Sequence, residues 1–91
     1  MTRWYVRTPP DDLLVEGGEA IALYPDRFVR LGPIGTWLVV HTETPLAEQT
    51  IVRGLDEAFG PPPGMSVDEA AAAALADLVA QRVLTLSEEP T

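Results

Sequence analysis

Residues 19–40, EAIALYPDRFVRLGPIGTWLVV, change their hydrophobic period halfway along. In the first half side chains alternate, the signature of a strand with two unlike faces. Ile21 and Leu23 share one face, and Ala22 and Tyr24 share the other. Pro25-Asp26 supplies the reversal, since proline presets φ at the first central position of a turn. The return strand spans 27–31, with Val29 and Leu31 on one face and Phe28 and Arg30 on the other. Gly32-Pro33 then opens a helix at a place where the missing proline N–H does no harm. Beyond it Ile34, Trp37, Leu38 and His41 recur at helical spacing.

Upstream, Trp4-Tyr5-Val6 is a short piece of strand-forming residues. Thr8-Pro9-Pro10-Asp11 interrupts regular structure. Residues 12–16 (DLLVE) form another candidate strand, closed by the Gly17-Gly18 turn. The pattern predicts a three-stranded antiparallel meander with Arg27–Leu31 at an edge.

Downstream the period is helical. Thr44-Pro45 starts a second helix that turns Ile51, Val52, Leu55, Ala58 and Phe59 inward. Gly60-Pro61-Pro62-Pro63-Gly64 ends it, as a stiff spacer rather than a domain boundary. Ser66 and Glu69 have the spacing of a capping box. The third helix runs to about Arg82, with Val67, Ala71, Ala74, Leu75, Leu78 and Val79 inward. Its alanine-rich first half serves helix propensity, or leaves a shallow groove where another backbone can approach. Val83–Leu86 closes the fold, and 87–91 reads as a frayed acidic tail. The fold class is α+β: one domain over 1–91, with its core at about 13–86.

Composition narrows the function. The chain has 91 residues, a formal charge of −8 and no cysteine. Its basic residues are all arginine and are scattered, which argues against nucleic acid, whose binding needs clustered cations. A bilayer span needs roughly 20 apolar residues in a row; none is present, nor is a signal peptide, so the expected setting is the cytoplasm, away from membranes. Without cysteine there is neither a disulfide framework nor a thiolate zinc site. His41 is the single histidine, without a ligand cluster around it. Gly32-Pro33-Ile34-Gly35 lacks the spacing and the Lys-Ser/Thr of phosphate loops. No nucleophile–base pair stands out, so the expectation is a protein without catalytic residues, metal or cofactor.

Several segments together resemble the PqqD family, the small winged-helix-like peptide chaperones also called RiPP precursor peptide recognition elements. The carrying residues are Ala22-Leu23-Tyr24-Pro25-Asp26, then Phe28-Val29-Arg30-Leu31 with Gly32, then Ile34-Gly35-Thr36-Trp37-Leu38. The run from Leu75 to Leu84 matches the family's C-terminal pattern. The resemblance covers about Leu13 to Leu86 and rests on the order and spacing of these motifs. Gly32-Pro33 and the glycine-free link His41–Pro45 depart from the family pattern.

The resemblance implies a non-catalytic module for natural product biosynthesis. The leader of a ribosomally made precursor peptide would add as a strand to residues 27–31, wedged against the third helix, and be delivered to a modifying enzyme such as a radical enzyme, leader peptidase or cyclase. Strand addition is a recurrent mode of peptide recognition. The expected contact residues are Arg27, Phe28, Val29, Arg30, Leu31, Ala72, Leu75, Ala76, Val79 and Arg82. Edge arginines also have a simpler use, blunting the strand against aggregation. The alternative is a winged-helix DNA-binding regulator, against which stands a third helix offering only Arg82. A homodimer, by edge pairing or exchange of the N-terminal strand, is compatible with the pattern.

Overall fold

A computed structural model describes residues 2–88. It is a mixed α+β fold of two three-stranded antiparallel sheets and three helices. Strand β1 (Trp4–Arg7) precedes the meander β2 (Asp12–Glu16), β3 (Glu19–Tyr24) and β4 (Arg27–Leu31). Helix α1 (Pro33–His41), the short strand β5 (Leu46–Ala47), helices α2 (Glu48–Phe59) and α3 (Val67–Ala80), and strand β6 (Leu84–Ser87) follow.

The meander is ordered β2-β3-β4, leaving β4 at an edge. Gly17 and Gly18 connect β2 to β3 with φ of 60° and 80°. A hairpin loop of this length favours such left-handed pairs, because their twist suits the flanking strands. Register pairs Ala22 with Leu13 and Val29, and Leu23 with Phe28. Ala20, Ala22, Tyr24, Val29 and Leu31 therefore share the inner face and are buried.

The second sheet, β5-β1-β6, was not assembled from the sequence pattern. Trp4–Arg7 pairs along its whole length with β6, and Trp4 and Tyr5 pair with Ala47 and Leu46. This pairing shifts two expected boundaries. The second helix starts at Glu48, not Thr44-Pro45, because Leu46-Ala47 extends to meet β1 and the Glu48 N–H donates to the Arg3 carbonyl at 2.9 Å. Ser87, expected to begin the frayed tail, is the last residue of β6 and lies opposite Trp4. The rest of that expected tail beyond Glu88 lies outside the described residues.

Helix α3 begins with the expected capping box. The Ser66 hydroxyl accepts from the Glu69 N–H, and the Glu69 carboxylate accepts from the Ser66 N–H, both at 3.1 Å. It ends at Ala80, two residues before the expected limit. Arg82 takes a left-handed φ of 61°, and its N–H donates to Val79 while that of Val83 donates to Leu78. That pair of bonds is the Schellman arrangement, which stops a helix.

The core gathers Tyr5, Leu38, Val39, Ile51, Leu55, Ala71, Leu75, Leu78, Val83 and Leu84 with the inner face of the meander. Helix α1 packs against β3, β4, α2 and α3. The Thr36 hydroxyl donates to the Leu31 carbonyl at 3.3 Å, fixing the first turn of α1 against the end of β4. Phe59, expected inward, is 47% exposed because α2 ends there.

Candidate functional site

The edge strand β4 gives the site its framework. A two-residue hairpin loop is closed by a pair that exchanges both its hydrogen bonds, and bonded pairs then alternate. Here the closing pair is Tyr24 and Arg27. Arg27, Val29 and Leu31 thus direct their N–H and C=O groups to β3. Phe28 and Arg30 direct theirs to the free edge.

Side chains follow a different division. Val29 and Leu31 point into the core and are 8% and 5% exposed. Phe28 stands on the outer face at 64% exposure. Cross-strand from it is Leu23, and Leu14 and Ile21 extend the same outer face. Arg30 is exposed on that face as well.

Between the end of β4, the start of α1 and one face of α3 runs a groove of about 180 Å³. Arg30, Leu31 and Gly32 form the strand side, Ile34 and Gly35 the α1 end, and Ala74, Asp77, Leu78 and Gln81 the helix side. The four helix residues are spaced i, i+3, i+4, i+7, a single stripe on α3. Asp77 accepts from the Gln81 amide at 2.8 Å, which holds the carboxylate in place. The helix side of the groove thus carries a fixed carboxylate, while the Arg30 side chain belongs to the outer face of β4.

Four of the expected contact residues, Leu75 among them, line a different hollow. Ala72, Ala76 and Val79, with buried Leu75 beneath them, lie about a quarter-turn or more round α3 from that stripe. They line a separate hollow of about 340 Å³ with Arg3, Tyr5, Glu48, Ala80 and Leu86. All four helix-side residues of the β4 groove, Ala74, Asp77, Leu78 and Gln81, were absent from the expected contact set. Their i, i+3, i+4, i+7 spacing was the available signal, but it does not say which flank of a helix anchored by Leu75 and Leu78 meets β4.

Arg27 is drawn into the fold. Its Nη2 donates to the carbonyls of Gln81 and Arg82 at 3.0 and 3.1 Å, and its Nη1 to Asp26 at 2.9 Å. Its guanidinium carbon also lies 4.3 Å from the Tyr24 ring centre. A cation at these carbonyls complements the negative end of the helix dipole. Arg27 therefore ties β4 to α3 instead of standing open to a ligand. Arg82 is exposed, and its guanidinium lies 3.7 Å from the Asp26 carboxylate.

Local electrostatics follow these contacts. The hydrogen bond from Arg27 holds the Asp26 carboxyl below its ordinary range. Burial pushes the Tyr24 phenol up, as it does Tyr5, whose hydroxyl also donates to Glu48 at 3.1 Å. His41 is stacked on Trp37 with ring centres 4.1 Å apart, and its Nδ1 lies 2.8 Å from the Trp37 carbonyl. Among the described residues, no three His, Cys, Asp or Glu side chains cluster as metal ligands, and no helix is long and apolar enough to cross a membrane. Protein-family models, curated proteins and solved structures yield no match to the chain.

Proposed function

We propose that this protein is a non-catalytic peptide-recognition module of the winged-helix-like PqqD type. It takes up the leader segment of a ribosomally made precursor by strand addition to β4 and presents it to a modifying enzyme in the cytoplasm. The observation that carries the reading is the geometry of Phe28 and Arg30. Their backbone groups face the free edge, directly beside a groove whose far wall is the Ala74–Gln81 stripe of α3. An added strand gains main-chain hydrogen bonds from the edge, while its alternate side chains turn toward that wall. Asp68, Glu69 and Asp77 are the charged residues of α3, and Arg82 falls beyond its end. A helix of that charge repels phosphate, which weighs against the DNA-reading alternative.

Display of the short open reading frames of the encoding genome tests the proposal. Bound peptides are expected to slow hydrogen exchange at the amides of Phe28 and Arg30, leaving the already bonded amides of β3 unchanged. Binders that leave those two amides unprotected, or the recovery of none, would overturn it.

A further inference from the structure

Where the start of α1, the end of α2 and the start of α3 meet, they border a half-open cavity of about 360 Å³. Ile34, Phe59, Pro61, Pro62, Pro63 and Ala70 form much of its wall, and no charged or hydrogen-bonding side chain lines it. Binding pockets for small ligands start at about 300 Å³, so the space suits one bulky group. Three prolines with fixed φ make one wall. Gly60 and Gly64 bracket them at φ of 72° and 78°, and the Met65 N–H closes the loop on the Pro62 carbonyl at 3.2 Å. The wall is set before any ligand arrives, so little ordering entropy is lost on binding.

This cavity continues the β4 groove. Ile34 lines both, Gly32 and Pro33 lead from one to the other, and Ala70 and Ala74 stand one turn apart on α3. A chain lying along β4 and extending past Leu31 therefore runs over Gly32 to the cavity mouth. The lining side chains offer an amide no hydrogen-bond partner, so the space favours an apolar side chain over backbone. A charged side chain is disfavoured on the same ground.

We infer that the proline-walled cavity is an anchor subsite for one neutral aromatic or branched aliphatic side chain of the peptide bound along β4. The inference rests on the strand-addition reading and adds to it what the peptide must carry beyond the paired segment.

Two probes on the full chain test it. Indole, titrated alone and followed by NMR, is expected to shift resonances of Ile34, Val67 and Ala70 and to leave those of β6 unmoved. Ala70→Trp, which fills the cavity, should abolish those shifts. Phe59→Ala, which removes a wall, should weaken them and serves if the first variant melts early. In peptides recovered by display, replacing the anchor residue by alanine should cost about tenfold or more in affinity. Ala70→Trp should cost a similar factor, with no further loss when the two changes are combined. Absence of indole shifts at the cavity would overturn the subsite. So would peptides that protect the Phe28 and Arg30 amides yet bind Ala70→Trp as well as the parent, an outcome that leaves strand addition standing. Binders that ignore both β4 and the cavity would overturn both.

Discussion

The indole of Trp37 lies against the bare backbone of Gly54. A Cβ placed there would come within 2.5 Å of two atoms of the ring. This contact sets how closely α1 can approach α2, and α1 in turn supports the end of β4. Two effects compete on Gly54→Ala. Helix propensity favours alanine by up to about 1 kcal/mol, whereas overpacking costs roughly 1–3 kcal/mol. Because the clashing atoms belong to a rigid ring, the second should win. A lowered melting temperature is expected, with much of the loss relieved in a Trp37→Leu background. Equal effects of Gly54→Ala in both backgrounds would refute the contact as the cause.

Arg82 should prefer to be glycine. It occupies the left-handed position of the Schellman stop at φ 61°, where a side chain costs about 1–2 kcal/mol. Against that stands its 3.7 Å approach to Asp26 between two well-exposed side chains, a kind of pair worth about 0–1 kcal/mol. Arg82→Gly is therefore expected to raise the denaturation midpoint, and Arg82→Ala to leave it level or lower it. A destabilised glycine variant would mean that the arginine makes more of its surface contacts than their geometry suggests.

Acid should weaken the fold through Asp26 and Glu69. The Arg27 hydrogen bond depresses the first carboxyl, and the backbone N–H of Ser66 depresses the second. Each folded-state pKa lies below its unfolded value, so the fold favours the ionised form. The stabilisation is present at neutral pH and disappears as pH falls through the folded values. Chemical denaturation from neutral to acidic pH should show stability declining, with a shallower decline in Asp26→Asn and in Glu69→Gln. Added salt should reduce the Asp26 contribution, since that group is exposed. An unchanged slope in both variants would place the acid sensitivity elsewhere.

How far the fold could be read in advance depended on whether contacts were local. Alternation at 20–31, the Pro25-Asp26 reversal and the Gly17-Gly18 turn place the meander, because each pairing lies across a two-residue loop. The capping box at Ser66 is equally local. The second sheet joins Trp4–Arg7 to Leu84–Ser87 from opposite ends of the chain. No short-range pattern in either segment names the other, and Thr44-Pro45 imitates a helix start just before a strand. The site was half legible for a related reason. The edge position of β4 follows from local turns, whereas which of its residues face the free edge was left open, and the groove-facing side of α3 does not follow from composition. Ala72, Ala74 and Ala76 are chemically identical, so hydrophobic contrast cannot rank the two flanks of the helix.

The alternation along β4 makes the sharpest prediction. Proline removes one N–H, and its effect depends on where that N–H points. At Val29 the N–H faces β3, and the side chain is buried beside Ala22. Val29→Pro should therefore break the sheet and unfold the protein or lower its melting point severely. At Phe28 and Arg30 the N–H faces the free edge, so Phe28→Pro and Arg30→Pro should keep most of the native circular dichroism. Each should nevertheless weaken peptide binding, because one main-chain bond to the added strand is lost. A hydrogen bond left unmade on association costs about 1–3 kcal/mol, which corresponds to roughly a five- to 150-fold loss of affinity. Phe28→Ala separates side chain from backbone: it trims the outer face and leaves the N–H in place, so its effect on affinity should be the smaller. Should Phe28→Pro and Arg30→Pro both fold and bind like the parent, the peptide does not pair with β4, and the proposed strand addition fails.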